Sequence, residues 1–441
     1  MRYSRLFHGF WPIQGAPSYT LRGFFCFLLF YIFSVLYIRS RSSRDPGSFF
    51  FNPSSAYDLS YSAVRLKQAS EFIDAANNVT IKAEIAHQPK FCLGIATIAR
   101  KGVRYFKHTV GTVLEGLSDL ERDDIHLILF IAHTDPSQHP AYSEPWLYQL
   151  ADQVLLYNDS DVDIDHIREL ETDEAKIAAR EKALFDYVYL LKACEAVEAE
   201  YTIIIEDDIV ALDGWYHRTR DALISAEKQT KDIGASNWLY LRLFYTEEFL
   251  GWNSENWPFY LIYSSLAVCF VAGFLMGLRH YLPYLRPYIS TEIVILSSFL
   301  YTPILIALFF AAGRVTMFPI PEGVHQMPKY GCCSQAFVFP QSRLYDLIDL
   351  YTTKKIGYVD MLTEEYANTN NEIRWALTPS IIQHVGRMSS KGLNQVAAPV
   401  KPNSKAEITG VAKLWNFKFE LNDAEALRLE HDAAKGRNDV T

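Results

Sequence analysis

Three strongly apolar stretches divide the chain, and between them short apolar runs alternate with amphipathic segments. The first, residues 21–38 (LRGFFCFLLFYIFSVLYI), is just long enough to span a bilayer as a helix, and no small-residue cleavage site follows it. That combination predicts an uncleaved N-terminal anchor. The second and third, residues 259–278 and 289–313, are separated only by RHYLPYLRPY. So short a link predicts a membrane hairpin whose two ends emerge on the same side. The plain alternative is a pair of buried core helices, and Glu292 and Pro303 make the third stretch the weaker span.

Elsewhere the period changes. Residues 91–99 (FCLGIATIA), 125–132 (IHLILFIA) and 201–205 (YTIII) have the continuous apolarity of strands buried on both faces. Residues 154–157 predict a shorter strand, and 238–245, 335–340 and 381–385 predict three more. Val103, Phe106, Val110, Val113, Leu114 and Leu117 recur at helical spacing. So do Leu184, Val188, Leu191 and Cys194 within a helix predicted over 178–199, and a further helix is predicted over 342–351. The alternation predicts an α/β fold with a doubly wound, mostly parallel sheet. The hairpin falls inside this pattern. Neither half has all the strands a stable sheet needs, so the hairpin interrupts one domain rather than joining two.

The 441 residues suit one large domain or two ordinary ones, and a net charge of -9 gives no support to a nucleic-acid partner. Arg2, Arg5 and Arg22 are balanced by Arg39, Arg41 and Arg44, so charge does not orient the first span. Arg279 and Arg286 favour a cytoplasmic hairpin loop, which puts residues 39–258 and 313–441 together in a lumen. Two sequons there, Asn78-Val79-Thr80 and Asn158-Asp159-Ser160, would accept glycans. Cys92, Cys194, Cys332 and Cys333 are an even number in an oxidising compartment. Cys332 and Cys333 either form a vicinal disulfide or pair elsewhere. Residues 39–88 lack a clean period and suit a stem, and 391–441 read as a polar tail with an aromatic anchor around Trp415 and Phe417.

The chemistry concentrates in Glu206-Asp207-Asp208, directly after the run 201–205. Three carboxylates at a strand's end repel one another unless something positive sits among them. A solvated acidic turn is the plain alternative. A hard divalent cation shared with substrate phosphates is the sharper one. The carboxyl rim of a parallel sheet is where ligands bind, and the triplet and the loop 97–104 would both lie there. Asp208 and then Glu206 are the candidate metal ligands, with Asp207 orienting the ribose or donor sugar. Arg100 and Arg104 are candidates to hold a nucleotide diphosphate.

Gly94-Ile95-Ala96-Thr97 with the basic loop after it, the strand leading to Glu206-Asp207-Asp208, and Gln383-His384-Val385-Gly386 followed by Ser389-Ser390 resemble GT-A glycosyltransferases. Within that fold they resemble the branch of the N-glycan GlcNAc-transferases of the fourth branching type. The apolar pair between the triplet and Cys332-Cys333-Ser334-Gln335 is similar to that of the post-GPI-attachment GalNAc-transferase family, a GT-A domain split by a tandem membrane insertion.

That resemblance implies metal-dependent transfer of N-acetylgalactosamine from UDP-GalNAc to a mannose of a GPI glycan in the Golgi lumen, with inversion. It implies Mn²⁺ or Mg²⁺ as cofactor, a UDP-sugar donor at Ala96, Thr97, Arg100, Arg104, Asp207, Ser334 and Gln335, and His384 completing the metal shell of Glu206 and Asp208. Single displacement needs a general base, for which Asp360 is the candidate and Glu364 and Glu365 are rivals. The alternative for Asp360 is that it caps the helix beginning at Met361. The implied organisation is a cytoplasmic tail (1–20), anchor (21–38), stem (39–88), first catalytic part (89–258), hairpin (259–313, cytoplasmic loop 279–288), second catalytic part (314–390) and tail (391–441). Two other readings stay open: UDP-GlcNAc or another UDP-hexose on an N-glycan or lipid-linked acceptor, and a non-catalytic membrane scaffold.

Overall fold

The computed structural model describes residues 18–77, 88–100, 102–173, 175–327, 329, 331–386 and 414–438. The sequon at Asn78 and the Ser389-Ser390 pair lie outside them. The described residues fall into two bodies, one of residues up to 56 with 250–319, the other of 57–249 with residues from 320 on.

The first body holds the apolar helices. Ser18–Arg41, Trp257–Tyr281 and the continuous segment from Thr291 to Ala311 are each long and apolar enough to cross a membrane. Leu29, Phe33, Phe270 and Phe299 stand exposed along them, as side chains meant for lipid do. Pro303 has no N–H to donate one turn back, and the third helix widens to a π-turn at Ser297–Tyr301 just before it. The chain segments at the ends of the helices meet each other. Phe49 N–H donates to Ala311 O, Asp45 accepts from Thr316 N–H, and Trp252 Nε1 donates to Phe310 O. Both ends of the pair 257–311 therefore lie near the end of the first helix.

The second body is a mixed α/β structure around a mostly parallel sheet. Its strands are β1 (Phe91–Thr97), β2 (Ile125–Ile131), β3 (Gln153–Leu155), β4 (Tyr201–Glu206), β6 (Tyr240–Arg242), β7 (Gly323–Gln326), β8 (Ala336–Pro340) and β9 (Arg374–Thr378), in the order β3-β2-β1-β4-β8-β6-β9-β7. All but β8 and β7 run the same way. β1, β2 and β4 are buried on both faces, which is why they read as unbroken apolar runs. Each fully buried Ile or Leu there contributes roughly 1.5–3 kcal/mol. Helix Lys176–Glu195 lays Leu184, Val188, Leu191 and Cys194 on the sheet, and Cys194 is disulfide-bonded to Cys92 of β1. Cys332 and Cys333 form a vicinal disulfide.

Four expectations shift. The strand predicted over 381–385 is β10 (Ile382–His384), and it pairs with β5 (Ile209–Ala211) in a separate two-stranded sheet. The strand predicted over 238–245 shortens to β6, because the chain turns away after Leu243. The segment expected to be a stem contains a helix, Tyr61–Ala76, whose Tyr61, Arg65, Ala69 and Ile73 are buried in the second body. Arg65 is 1% exposed, donates to Ala211 O and Thr112 O, and pairs with Glu115. The tail also folds: Trp415, Phe417 and Phe419 are buried, Asn416 N–H donates to Gln383, and helix Ala424–Asn438 follows.

Candidate active site

The register of the sheet brings the predicted residues together. β1 and β4 run parallel with Ala96 opposite Glu206, so Thr97 and the triplet share the carboxyl rim. β8 runs antiparallel to β4, and Glu206 N–H donates to Gln335 O, which brings the loop before β8 to the same rim. β10 runs antiparallel to β5 with His384 opposite Ile209, and Val385 N–H donates to Asp208 O. Thr109, from the helix after β1, pins the turn. Its hydroxyl lies 2.8 Å from Asp207 O and accepts from Ile209 N–H.

Each carboxylate of the triplet has its own setting. Asp207 is buried and accepts from Arg100 through both oxygens, at 2.8 and 2.7 Å, and from Thr97 Oγ1 at 2.6 Å. Its charge is thus committed to a bidentate pair. Arg100 Nε is buried without a partner. Glu206 is only partly buried and accepts from Ser334 Oγ at 2.6 Å and from Gln335 Nε2 at 3.3 Å. Asp208 Oδ2 lies 3.5 Å from His384 Nε2, while its Oδ1 is buried with no partner. Burial alone would raise the Asp208 carboxyl, but the His384 imidazole and Arg100 hold it below the usual carboxylate range. Burial would likewise lower His384, and Asp208 holds it above the usual imidazole value.

Glu206, Asp208 and His384 each offer a ligand atom, and the three atoms lie within 4.8 Å of one another. Two carboxylates and one imidazole suit a hard or borderline divalent ion. The orphaned Asp208 oxygen is what such an ion would satisfy. Gly386 keeps the space clear: a Cβ there would collide with the Asp208 carboxylate and stand 2.9 Å from His384 Nε2.

A pocket opens beside the triplet, lined by Thr97, Arg100, Tyr105, His139, Glu144 and Asp207. His139 has no local sequence signal, yet it completes a directed chain of hydrogen bonds. Ala141 N–H donates to its Nδ1 at 3.2 Å, so the ring proton sits on Nε2 and donates to Thr97 Oγ1, which in turn donates to Asp207. Burial first, then His133 and Arg100, pushes the His139 imidazole down to about 4, which keeps it neutral.

The model of one family, GPI-N-acetylgalactosamine transferase PGAP4, matches residues 91–383, from β1 to β10. The chain belongs to that family. It is therefore a glycosyltransferase with a role in GPI N-acetylgalactosamine transfer. No curated protein resembles it at a significant level.

Within this transferase the remaining predicted residues divide. Arg104 lines the pocket but is largely exposed and pairs with Glu144 at 2.7 Å. Asp360 lies in the first turn of helix Val359–Thr369; one oxygen accepts from Met361 N–H and the other from Cys333 N–H, both at 2.9 Å. It therefore braces the loop whose next residue, Ser334, holds Glu206. Glu364 lies one turn on in the same helix, beside Gly331. Its carboxylate accepts from Arg242 at 2.9 Å, from Arg374 at 2.6 Å and from the Tyr240 hydroxyl. Glu365 is exposed and faces Lys354 at 3.2 Å.

Proposed function

We propose that the chain moves N-acetylgalactosamine from UDP-GalNAc to a mannose of the GPI glycan, with Glu206, Asp208 and His384 holding Mn²⁺ or Mg²⁺. The observation that carries this reading is the convergence of three ligand atoms beside a buried carboxylate oxygen that has no other partner. Bound there, such an ion neutralises the nucleotide diphosphate and stabilises the phosphate that departs. Arg100, held by Asp207 through both terminal nitrogens, has an Nε–H without a partner and is the cation assigned to the donor phosphate. Thr97 donates to Asp207 and holds it in place, with His139 donating to Thr97 from behind. Ser334 and Gln335 orient Glu206. Asp360 is the base assigned to the acceptor hydroxyl in a single displacement with inversion.

The sheet is read as the GT-A type, with Ser18–Arg41 as the anchor and the two apolar helices between β6 and β7 as a transmembrane hairpin. The sheet-bearing body is assigned to the Golgi lumen. The Cys92–Cys194 bridge and the exposed sequon at Asn158 support an oxidising, glycosylating compartment. A catalytic body tethered twice to the membrane meets a membrane-borne acceptor at raised effective concentration.

The test is turnover by the purified full-length protein with a panel of UDP-sugars and GPI-anchored glycans. UDP-GalNAc should be the donor used, EDTA should abolish transfer, and Mn²⁺ should restore it. Asp208→Ala should lose turnover while unfolding like the parent; turnover that survives either treatment removes the metal role. Preference for UDP-GlcNAc removes the donor assignment. Asp360→Asn should keep nucleotide-sugar binding and lose transfer, and a variant that still transfers excludes it as base.

A further inference from the structure

A second group of metal-competent side chains lies in the sheet-bearing body, and the transferase reading makes no use of it. Glu121, from the short helix Asp119–Asp123, His217, from helix Trp215–Asp232, and His431, from helix Ala424–Asn438, each offer a ligand atom. These atoms lie within 4.8 Å of one another, and all three residues are buried.

Each is held in place by a group outside the cluster. His431 Nδ1 lies 2.6 Å from Asp213 Oδ1, so the proton belongs on Nδ1 and Nε2 faces Glu121. A carboxylate behind an imidazole in this way fixes the tautomer and raises the basicity of the opposite nitrogen, as in carboxylate–histidine–metal arrangements. Glu121 is held by the Ser118 N–H at 2.9 Å in a capping box. His217 Nε2 faces Glu430 Oε1 at 3.3 Å, which places its proton there. Its Nδ1 then carries an unused lone pair, and that atom is sealed from solvent without a partner in a side chain that is 7% exposed. Gly214, at φ +78°, lets the rings come together: a Cβ there would collide with the His217 ring and stand 3.4 Å from His431 Cβ.

We propose that Glu121, His217 and His431 form a closed site for a divalent ion of the zinc class that fastens the C-terminal helix Ala424–Asn438 onto the catalytic body. Two imidazoles and one carboxylate are a zinc-type donor set, and with all three ligands buried the site is not placed to share its ion with a substrate. Binding displaces the proton shared between His431 Nε2 and Glu121, so each ion taken up releases that proton. Arg428, which donates to Glu115 at 2.8 Å and pairs with Asp213, seats the same helix one turn earlier.

The experiment uses full-length protein in detergent, stripped with chelator and then supplied with Zn²⁺ alone. Asp208→Ala serves as the background, to silence the rim cluster. It should retain one equivalent of zinc through gel filtration and show slower amide exchange across residues 424–438 when zinc is added. His217→Gln and His431→Gln in that background should lose the equivalent. Failure of the Asp208→Ala protein to retain zinc overturns the site whether or not the histidine variants fold, and leaves a proton-bridged clasp in its place. Zinc retained in full by either histidine variant overturns the ligand assignment.

Discussion

Glu206, Asp208 and His384 sit on the rim of the sheet, with Glu206 partly exposed and a pocket alongside. Glu121, His217 and His431 are all buried, their outer atoms fixed by Ser118, Glu430 and Asp213. The ingredients are alike, carboxylate and imidazole, and the surroundings decide what each can do. A cluster with one accessible member can share its ion with a substrate. A cluster whose members are all buried is suited to holding parts of the chain together. Function is therefore read from access to the group, not from its residue types.

The largest test of that contrast is a pair of aspartate-to-asparagine changes. Asp208→Asn removes a proposed ligand at the open cluster and should lower turnover on the order of 10²–10³-fold, the loss of several kcal/mol of charge stabilisation. Its thermal midpoint should barely move. Asp213→Asn, at the closed cluster, removes the carboxylate behind His431 and Arg428 and should cost about 2 kcal/mol of stability, with turnover kept within about twofold. Equal effects of the two changes on turnover would erase the distinction.

Arg100→Ala blurs the comparison in an instructive way, because it strands a buried carboxylate at the open cluster. Asp207 would keep Thr97 but lose both guanidinium bonds, and breaking a buried pair costs about 3–5 kcal/mol. Both stability and turnover should fall. Arg100→Lys restores the charge without the fork and should recover only part of the stability. Full recovery, read from chemical denaturation, would mean that the bidentate geometry contributes nothing.

The open cluster was half legible in the sequence, and the closed one was not. Glu206-Asp207-Asp208 ends a run buried on both faces, so both the strand and its chemistry show locally. His384 carries no local mark and came only with the resemblance. Glu121 and His431 are 310 residues apart, on helices whose polar faces look like any solvated surface. Helix Tyr61–Ala76 was hidden for a related reason: Arg65 interrupts its apolar stripe, and only the fold supplies Glu115 and two carbonyls to receive that charge. β9 carries no apolar signature because Arg374 opens it, and the partner of Arg374 is Glu364, a rival to Asp360 as base. In each case a buried charge reads as surface until its partner is known.

The smallest effect concerns His139. In the unfolded chain its imidazole takes up a proton as pH falls through its ordinary 6.5. In the fold it stays neutral until about 4. Between those values the unfolded state binds the extra proton, so this residue contributes stability that is complete above 6.5 and is lost as pH falls toward 4. His139→Gln cannot titrate, and its amide can still donate to Thr97 and accept from Ala141. The variant should therefore lose less stability than the parent across that window, by the slope of one proton, with no difference near neutral pH. Parallel curves from urea unfolding at a series of pH values would mean that His139 is protonated within the fold. The Ala141 N–H would then face a second ring N–H at Nδ1, and that hydrogen bond would be lost.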